Sequence, residues 1–248
     1  MAKSKYHRVL LKLSGESLCE RGGSGIDGNA LESVAHRIAE LCTLGPQVCV
    51  VVGAGNILRG EAFSKASRIP RNTADYMGML ATIINACALQ ETLEKTGQPT
   101  RVLSAIEVSA ICEKFIRRRA IRHLERGRVV ILAGGTGNPF FTTDTCAALR
   151  ASELDVNLLV KATKVDGVYD SDPEKNPEAQ LFEALSYEDV LKRNLKVIDH
   201  SAISLCRENH IPIVVLNIFK KDNMARAVCG EQVGTLVSEK GACLEVSG

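Results

Sequence analysis

Short apolar runs alternate with segments of helical period from residue 8 to residue 217, and few architectures satisfy that alternation. RVLLKL (8–13) and QVCVVV (47–52) read as strands, and the second has no polar alternation, so both its faces must be covered. Between them ALESVAHRIAELCTLG places Leu31, Val34, Ala35, Ile38, Leu41 and Cys42 on one stripe and stops at Gly45. A long helix is predicted over 73–97. Strands follow at RVLSAI (101–106) and RVVILA (128–133), flanking a basic helix around 113–126. DVNLLVKA (155–162) and IPIVVLN (211–217) bring the set to about six buried strands. Strands and helices in this order predict β-α-β units: an α/β fold with a mostly parallel sheet covered on both faces. The stretch 163–180 is dense in Asp, Pro and Asn and reads as a loop or hairpin excursion. No linker divides the chain, so residues 1–248 are expected to form one domain.

Bulk properties narrow the function classes. A net charge of +2 argues against a dedicated nucleic-acid binder. The nine cysteines form no C-x-x-C pair and several lie in apolar runs, which suits reduced core thiols in a reducing compartment. The amino-terminal apolar run is broken by Lys12, and no stretch is long enough to span a bilayer. The expectation is a cytoplasmic protein with neither a membrane nor a nucleic-acid partner.

Glycine clusters follow three strands at their carboxyl ends: KLSGES (12–17), VGAGN (52–56) and AGGTGNP (133–139). Tight strand-to-helix turns use glycine whatever they bind, but three together, with Lys12 in one and Arg59 after another, point to a polyanion site. Known phosphate fingerprints are missing. There is no P-loop, and GSGIDG (23–28) lies too far past its strand to serve as a dinucleotide turn. The five histidines show no ligand spacing, and no G-x-S-x-G elbow occurs. Lysine, aspartate and backbone remain, a set suited to phosphoryl transfer. Lys12 lies inside VLLKLSG, where burial without an anion is costly. Asp144 reads equally well as a functional carboxylate or a helix cap.

LLKLSGES (10–17), Gly53 to Asn56 with LRG (58–60), DYMGMLAT (75–82), GTGNPFFTTD (135–144) and KATKVDGVYDSDP (161–173) resemble the bacterial uridylate kinases of the amino-acid kinase superfamily. The likeness runs along nearly the whole chain. It implies an open three-layer α/β sandwich that transfers the γ-phosphate of ATP to UMP with Mg²⁺. It also implies a cytoplasmic homohexamer in pyrimidine nucleotide synthesis, often activated by GTP and inhibited by UTP. An acceptor-binding lobe is expected near 1–150 and an ATP-binding lobe near 151–248.

Roles carry over by position. Lys12, Leu13, Ser14 and Gly15 match the ATP-phosphate loop, with Lys12 and Asp144 as the catalytic pair. Asp144 would orient lysines rather than act as a base. Gly55 and Arg59 match ATP contacts, Thr163, Tyr169 and Asp172 the adenosine side, and Lys164 a phosphate neighbour. The UMP set is Ala54, Asp75 on the ribose, and Thr136, Gly137, Asn138, Pro139, Phe140, Phe141, Thr142 and Thr143. Of Phe140 and Phe141, at least one ring is as readily a core residue as a ligand contact.

Three stretches depart from the pattern or stand outside it. Ala54 stands where the family carries glycine, which is harmless at negative φ. Gln90 and Glu94 occupy positions that are basic in some relatives, although Arg101 remains, so GTP activation is doubtful. Arginines 117, 118, 119, 122 and 126 read first as a solvated face or subunit contact. Kinases of carboxylates or carbamates, and a non-catalytic nucleotide binder, are the alternatives.

Overall fold

The computed structural model describes residues 3–20, 22–173, 175–195, 198–239 and 241. Strand β1 (Arg8–Leu13) leads through a 3₁₀ turn, Gly15–Leu18, to helix α1 (Gly28–Thr43). Asp27 caps α1 by accepting the Ala30 N–H at 2.8 Å, so the GSGIDG segment makes the turn into that helix. Strand β2 (Gln47–Val52), α2 (Gly60–Ala66) and the 25-residue α3 (Arg71–Lys95) follow. Next come β3 (Thr100–Ser104), β4 (Glu113–Lys114), α4 (Arg117–Glu125), β5 (Val129–Ala133) and α5 (Thr143–Glu153). Beyond β6 (Leu158–Thr163), the polar excursion forms a hairpin of β7 (Val168–Tyr169) and β8 (Leu181–Phe182). The chain then runs through β9 (Ala184–Ser186), α6 (Tyr187–Lys192), α7 (His200–Glu208), β10 (Ile213–Asn217), α8 (Asn223–Val228) and β11 (Thr235–Ser238).

Nine strands form one sheet in the order β4-β3-β5-β2-β1-β6-β10-β11-β9, parallel throughout except at β10–β11. All the long strands expected from sequence are present. The additional ones, β4, β7, β8, β9 and β11, span two to four residues, too short to carry a period of their own. The basic segment is corrected: Glu113–Lys114 is an edge strand, and the helix begins only at Arg117.

Alternation along β1 divides the molecule into two cores. Val9, Leu11 and Leu13 join the cluster under α1, α3 and α8, whereas Leu10 joins the cluster under α5 and α7. Lys12 has the parity of Leu10 and therefore faces α5. That helix presents Cys146, Ala147, Ala148 and Ala151 to the sheet, and these small side chains bring its first turn close to β1. Among the described residues, no helix is long and apolar enough to cross a membrane.

Gly134, at the end of β5, holds a positive φ of 75°. A Cβ there would meet Ser104 Oγ at 2.7 Å and the Ile106 nitrogen at 2.9 Å. Gly134→Ala is expected to destabilise the fold by about 1–3 kcal/mol, read as a lower urea midpoint at unchanged slope.

Candidate active site

Two lysines on adjacent strands share one carboxylate. Lys12 of β1 and Lys161 of β6 are register partners, so both project to the same face side by side. Asp144, in the first turn of α5, lies between them. Its Oδ2 accepts from Lys161 Nζ at 2.5 Å, and Lys12 Nζ stands 2.8 Å from Oδ1. All three side chains are 12–15% exposed. Burial alone would raise the Asp144 pKa, but the two ammonium groups outweigh it and hold the carboxyl below its usual range. Burial depresses Lys161, Asp144 opposes that effect, and Lys12 adds to it, leaving Lys161 easier to deprotonate than an ordinary lysine. Two cations against one anion leave the cluster with one surplus positive charge. Asp144 is no cap: Thr142 caps α5 by accepting from the Asp144 and Thr145 N–H groups.

The first two glycine turns pack against each other beside this cluster, and the third lines the adjoining cavity with Gly135 and Thr136. A Cβ on Gly15 would fall 2.3 Å from Asn56 Oδ1 and 2.7 Å from the Gly55 nitrogen. A Cβ on Gly53 would approach the Gly15 nitrogen at 3.1 Å and Thr143 Oγ1 at 3.4 Å. The Leu13 carbonyl accepts the Gly53 N–H at 2.8 Å, and Ser14 turns its hydroxyl to the Glu16 N–H. Ala54 is not at positive φ, so its methyl sits without strain in place of the family's glycine.

A cavity of about 490 Å³ opens beside the turns. Its wall includes Ala54, Gly55, Arg59, Asp75, Thr136, Phe141, Thr142 and Thr143, most of the acceptor set together with two donor-side residues. Asp75 is the fifth residue of α3, too far in to be a first-turn acid. Arg71 grips both its oxygens at 2.9 and 3.0 Å, and the Phe140 N–H donates to Oδ2 at 2.8 Å. That bond holds Phe140 at φ 70°, a conformation costly for a non-glycine residue. Gly137, Asn138 and Pro139 make the intervening turn, in which Thr136 Oγ1 receives the Asn138 N–H. Neither phenylalanine ring is core: Phe140 is 67% exposed and Phe141 55%. Asp144 and Lys161 also line a smaller cavity of about 280 Å³ with Asn194, Asp199 and His200. Thr143 lines the larger cavity and Asp144, the next residue of α5, lines the smaller one, so the two adjoin there.

On the donor side, Lys164 reaches the first glycine turn through Glu16, with Nζ 3.2 Å from Oε2, and Arg59 pairs with the same carboxylate. Thr163 ends β6, where its hydroxyl donates to the Val165 carbonyl. Tyr169 lies on the β7–β8 hairpin, and Asp172 follows it, exposed and 3.5 Å from Lys175. Sequence reasoning missed Lys161, although LLVKAT carries a lysine inside an apolar run just as VLLKLS does. It also missed Arg71, placed one helical turn before Asp75, and Glu16. Asp199, which accepts the Thr142 hydroxyl, gave no signal at all.

A parallel sheet with its glycine turns and a lysine–carboxylate–lysine cluster at one end defines a phosphotransferase of open α/β type. The chain belongs to the amino acid kinase family, whose model matches residues 7–217. It is similar to the crystal structure of UMP kinase from Bacillus anthracis, with 40% identity, a TM-score of 0.91, and coverage of 98% of this chain and 99% of that one. It is also similar to the UMP kinase of Ureaplasma parvum (38%, TM-score 0.87, 96% and 100% covered). The uridylate kinase of Archaeoglobus fulgidus matches less closely, at 28%, TM-score 0.71, with 93% and 100% covered.

Removing Asp144 would leave two buried ammonium groups facing each other. Asp144→Ala is expected to lose about 3–5 kcal/mol in urea unfolding at neutral pH. Because the folded-state pKa of Asp144 is depressed, this contribution is complete above the unfolded value near 3.8 and lost as pH falls through the folded one. The gap between wild type and variant should therefore persist down to about pH 4 and close below it.

Proposed function

We propose that this chain is a cytoplasmic UMP kinase, transferring the γ-phosphate of ATP to UMP to give UDP and ADP in pyrimidine nucleotide synthesis. The observation that carries the reading is the Lys12–Asp144–Lys161 cluster beside a cavity walled by Asp75 and the 135–143 loop. The surplus positive charge suits a transferring phosphoryl group, whose charge spreads over its equatorial oxygens. Asp144 fixes the two lysines in place. An acceptor phosphate oxygen is already anionic at neutral pH, so no base is needed, which agrees with the downward shift that keeps Asp144 ionised.

UMP is assigned to the larger cavity, with Asp75 on the ribose hydroxyls and Ala54, Thr136, Gly137, Asn138, Pro139, Phe140, Phe141, Thr142 and Thr143 around uracil and phosphate. ATP is assigned to Lys12, Leu13, Ser14, Gly15, Gly55, Arg59, Thr163, Lys164, Tyr169 and Asp172. Mg²⁺ is assigned to the MgATP substrate, bound mainly through the phosphates it accompanies. In this assignment the acceptor-binding lobe lies roughly within 1–150 and the ATP-binding lobe roughly within 151–248, with the glycine turns of the first lobe reaching the ATP phosphates. UTP is assigned as an inhibitor that competes through the uracil-reading loop.

A homohexamer is part of the same reading, supported by the unpartnered stripe of Tyr76, Leu80 and Ile84 along α3, with Met77 beside it. GTP activation is disfavoured in this reading, because Glu94, at a position that is basic in some relatives, pairs with Arg101 at 2.9 Å.

The decisive experiment is ADP release with a panel of nucleoside monophosphates, with and without GTP; activity confined to other acceptors would overturn the reading. Lys12→Ala is expected to lower kcat by about 10²–10³ with little change in KM for UMP. Asp75→Ala should instead raise that KM by roughly ten- to a hundredfold. Since the Lys161 pKa is depressed, kcat should fall as pH rises through a value below 10.5. Lys161→Arg should remove that limb.

A further inference from the structure

The first glycine turn carries a carboxylate for which the transfer reaction has no use. Glu16 lies on the 3₁₀ turn Gly15–Leu18, directly after the loop assigned to the donor phosphates. Its Oε1 meets Arg59 and its Oε2 stands 3.2 Å from Lys164 Nζ, so one side chain bridges two cations from opposite sides of β1. Gly55 lies directly beside the bridge: a Cβ there would be in ordinary contact with Arg59 Nε at 3.4 Å and Glu16 Oε1 at 3.7 Å. The contrast with Asp144 is informative. Asp144 is 12% exposed and fixed between two strand lysines, whereas Glu16 is 26% exposed, and its partners Arg59 and Lys164 are 64% and 41% exposed. The Glu16 bridge is the wet, movable one.

We propose that Glu16 is an intramolecular stand-in for donor phosphate, occupying Arg59 and Lys164 until the polyphosphate of ATP displaces it. The inference rests on the UMP kinase reading, which assigns those two cations to ATP. Two flexible cations left without an anion would repel each other and spread into solvent; the carboxylate holds them at the spacing a phosphate chain can take over. Each cation then exchanges one anionic partner for another. Part of the attraction for the nucleotide is thereby offset, and the same carboxylate assists ADP in leaving.

The test is calorimetric titration of wild type and Glu16→Gln with ADP and with a non-hydrolysable ATP analogue, both with Mg²⁺, and with adenosine and UMP. Glu16→Gln keeps size and hydrogen bonding but loses the charge. It is expected to bind both phosphorylated adenine ligands roughly three- to tenfold more tightly, the range two partly exposed ion pairs support. The gain should shrink with added salt, while adenosine affinity stays unchanged and UMP, whose cavity Arg59 also lines, gains less than ADP. Glu16→Ser, which also removes the charge, gives the same reading if the glutamine variant folds poorly. Unchanged or weaker binding of ADP and the analogue would overturn the stand-in role, as would an equal gain for adenosine. A wild-type protein that binds no adenine nucleotide would overturn the parent reading, and this inference with it.

Discussion

The shared carboxylate of Asp144 is the constraint around which this end of the molecule is built. Parallel pairing of β1 with β6 places Lys12 and Lys161 level with each other, and two ammonium groups in such a position cannot both be buried unless an anion lies between them. Asp144 is that anion, brought in by an alanine-rich helix able to approach the sheet. One carboxylate does not balance two lysines. The three groups keep one positive charge, moderated by Asp199 near Lys161, and such a charge suits an anionic ligand.

The same electrostatic logic accounts for the neighbouring groups. Asp75 holds Arg71 and the Phe140 N–H, so the acceptor loop is pinned in a strained conformation by the carboxylate assigned to the ribose. Thr142 caps α5 and donates a hydrogen bond from its hydroxyl to Asp199, and Thr145 contacts Ser201 at 2.7 Å. These two contacts tie the start of α7 to the acceptor loop, across the boundary between the proposed lobes. Charged or capping groups do this work because the loop has almost no apolar anchor: both its rings face solvent.

The sequence made the long strands legible because burial on both faces demands unbroken apolar runs. It made Lys12 legible because a lysine inside such a run contradicts its surroundings. Lys161 carried the same contradiction and needed only the same rule. The short strands had no period to show, and Glu113–Lys114 pairs as an edge where local composition spells a helix. Glu16, Arg71 and Asp199 were not legible for a different reason. Each acts through a partner fixed by tertiary packing, and of the three only Arg71 has its partner within a helical turn. The exposure of Phe140 and Phe141 was equally hidden, since a paired aromatic motif reads the same in a core as on a rim.

Why the site forms beyond β1 follows from strand order. β1 is the middle strand of nine: the chain leaves it for β2 on one side and fills the other side only after α5, with β6 and β10. Crossovers therefore diverge at the carboxyl end of β1, opening a crevice that neither helical layer closes. Groups from the β2–β5 side and from the β6–β10 side can meet only there. Lys12, at the penultimate position of β1, stands on the dividing line, and the Asp144–Lys161 bond joins the halves across it. A donor and an acceptor held by different halves of the sheet would thus face each other over the one lysine that belongs to the strand between them.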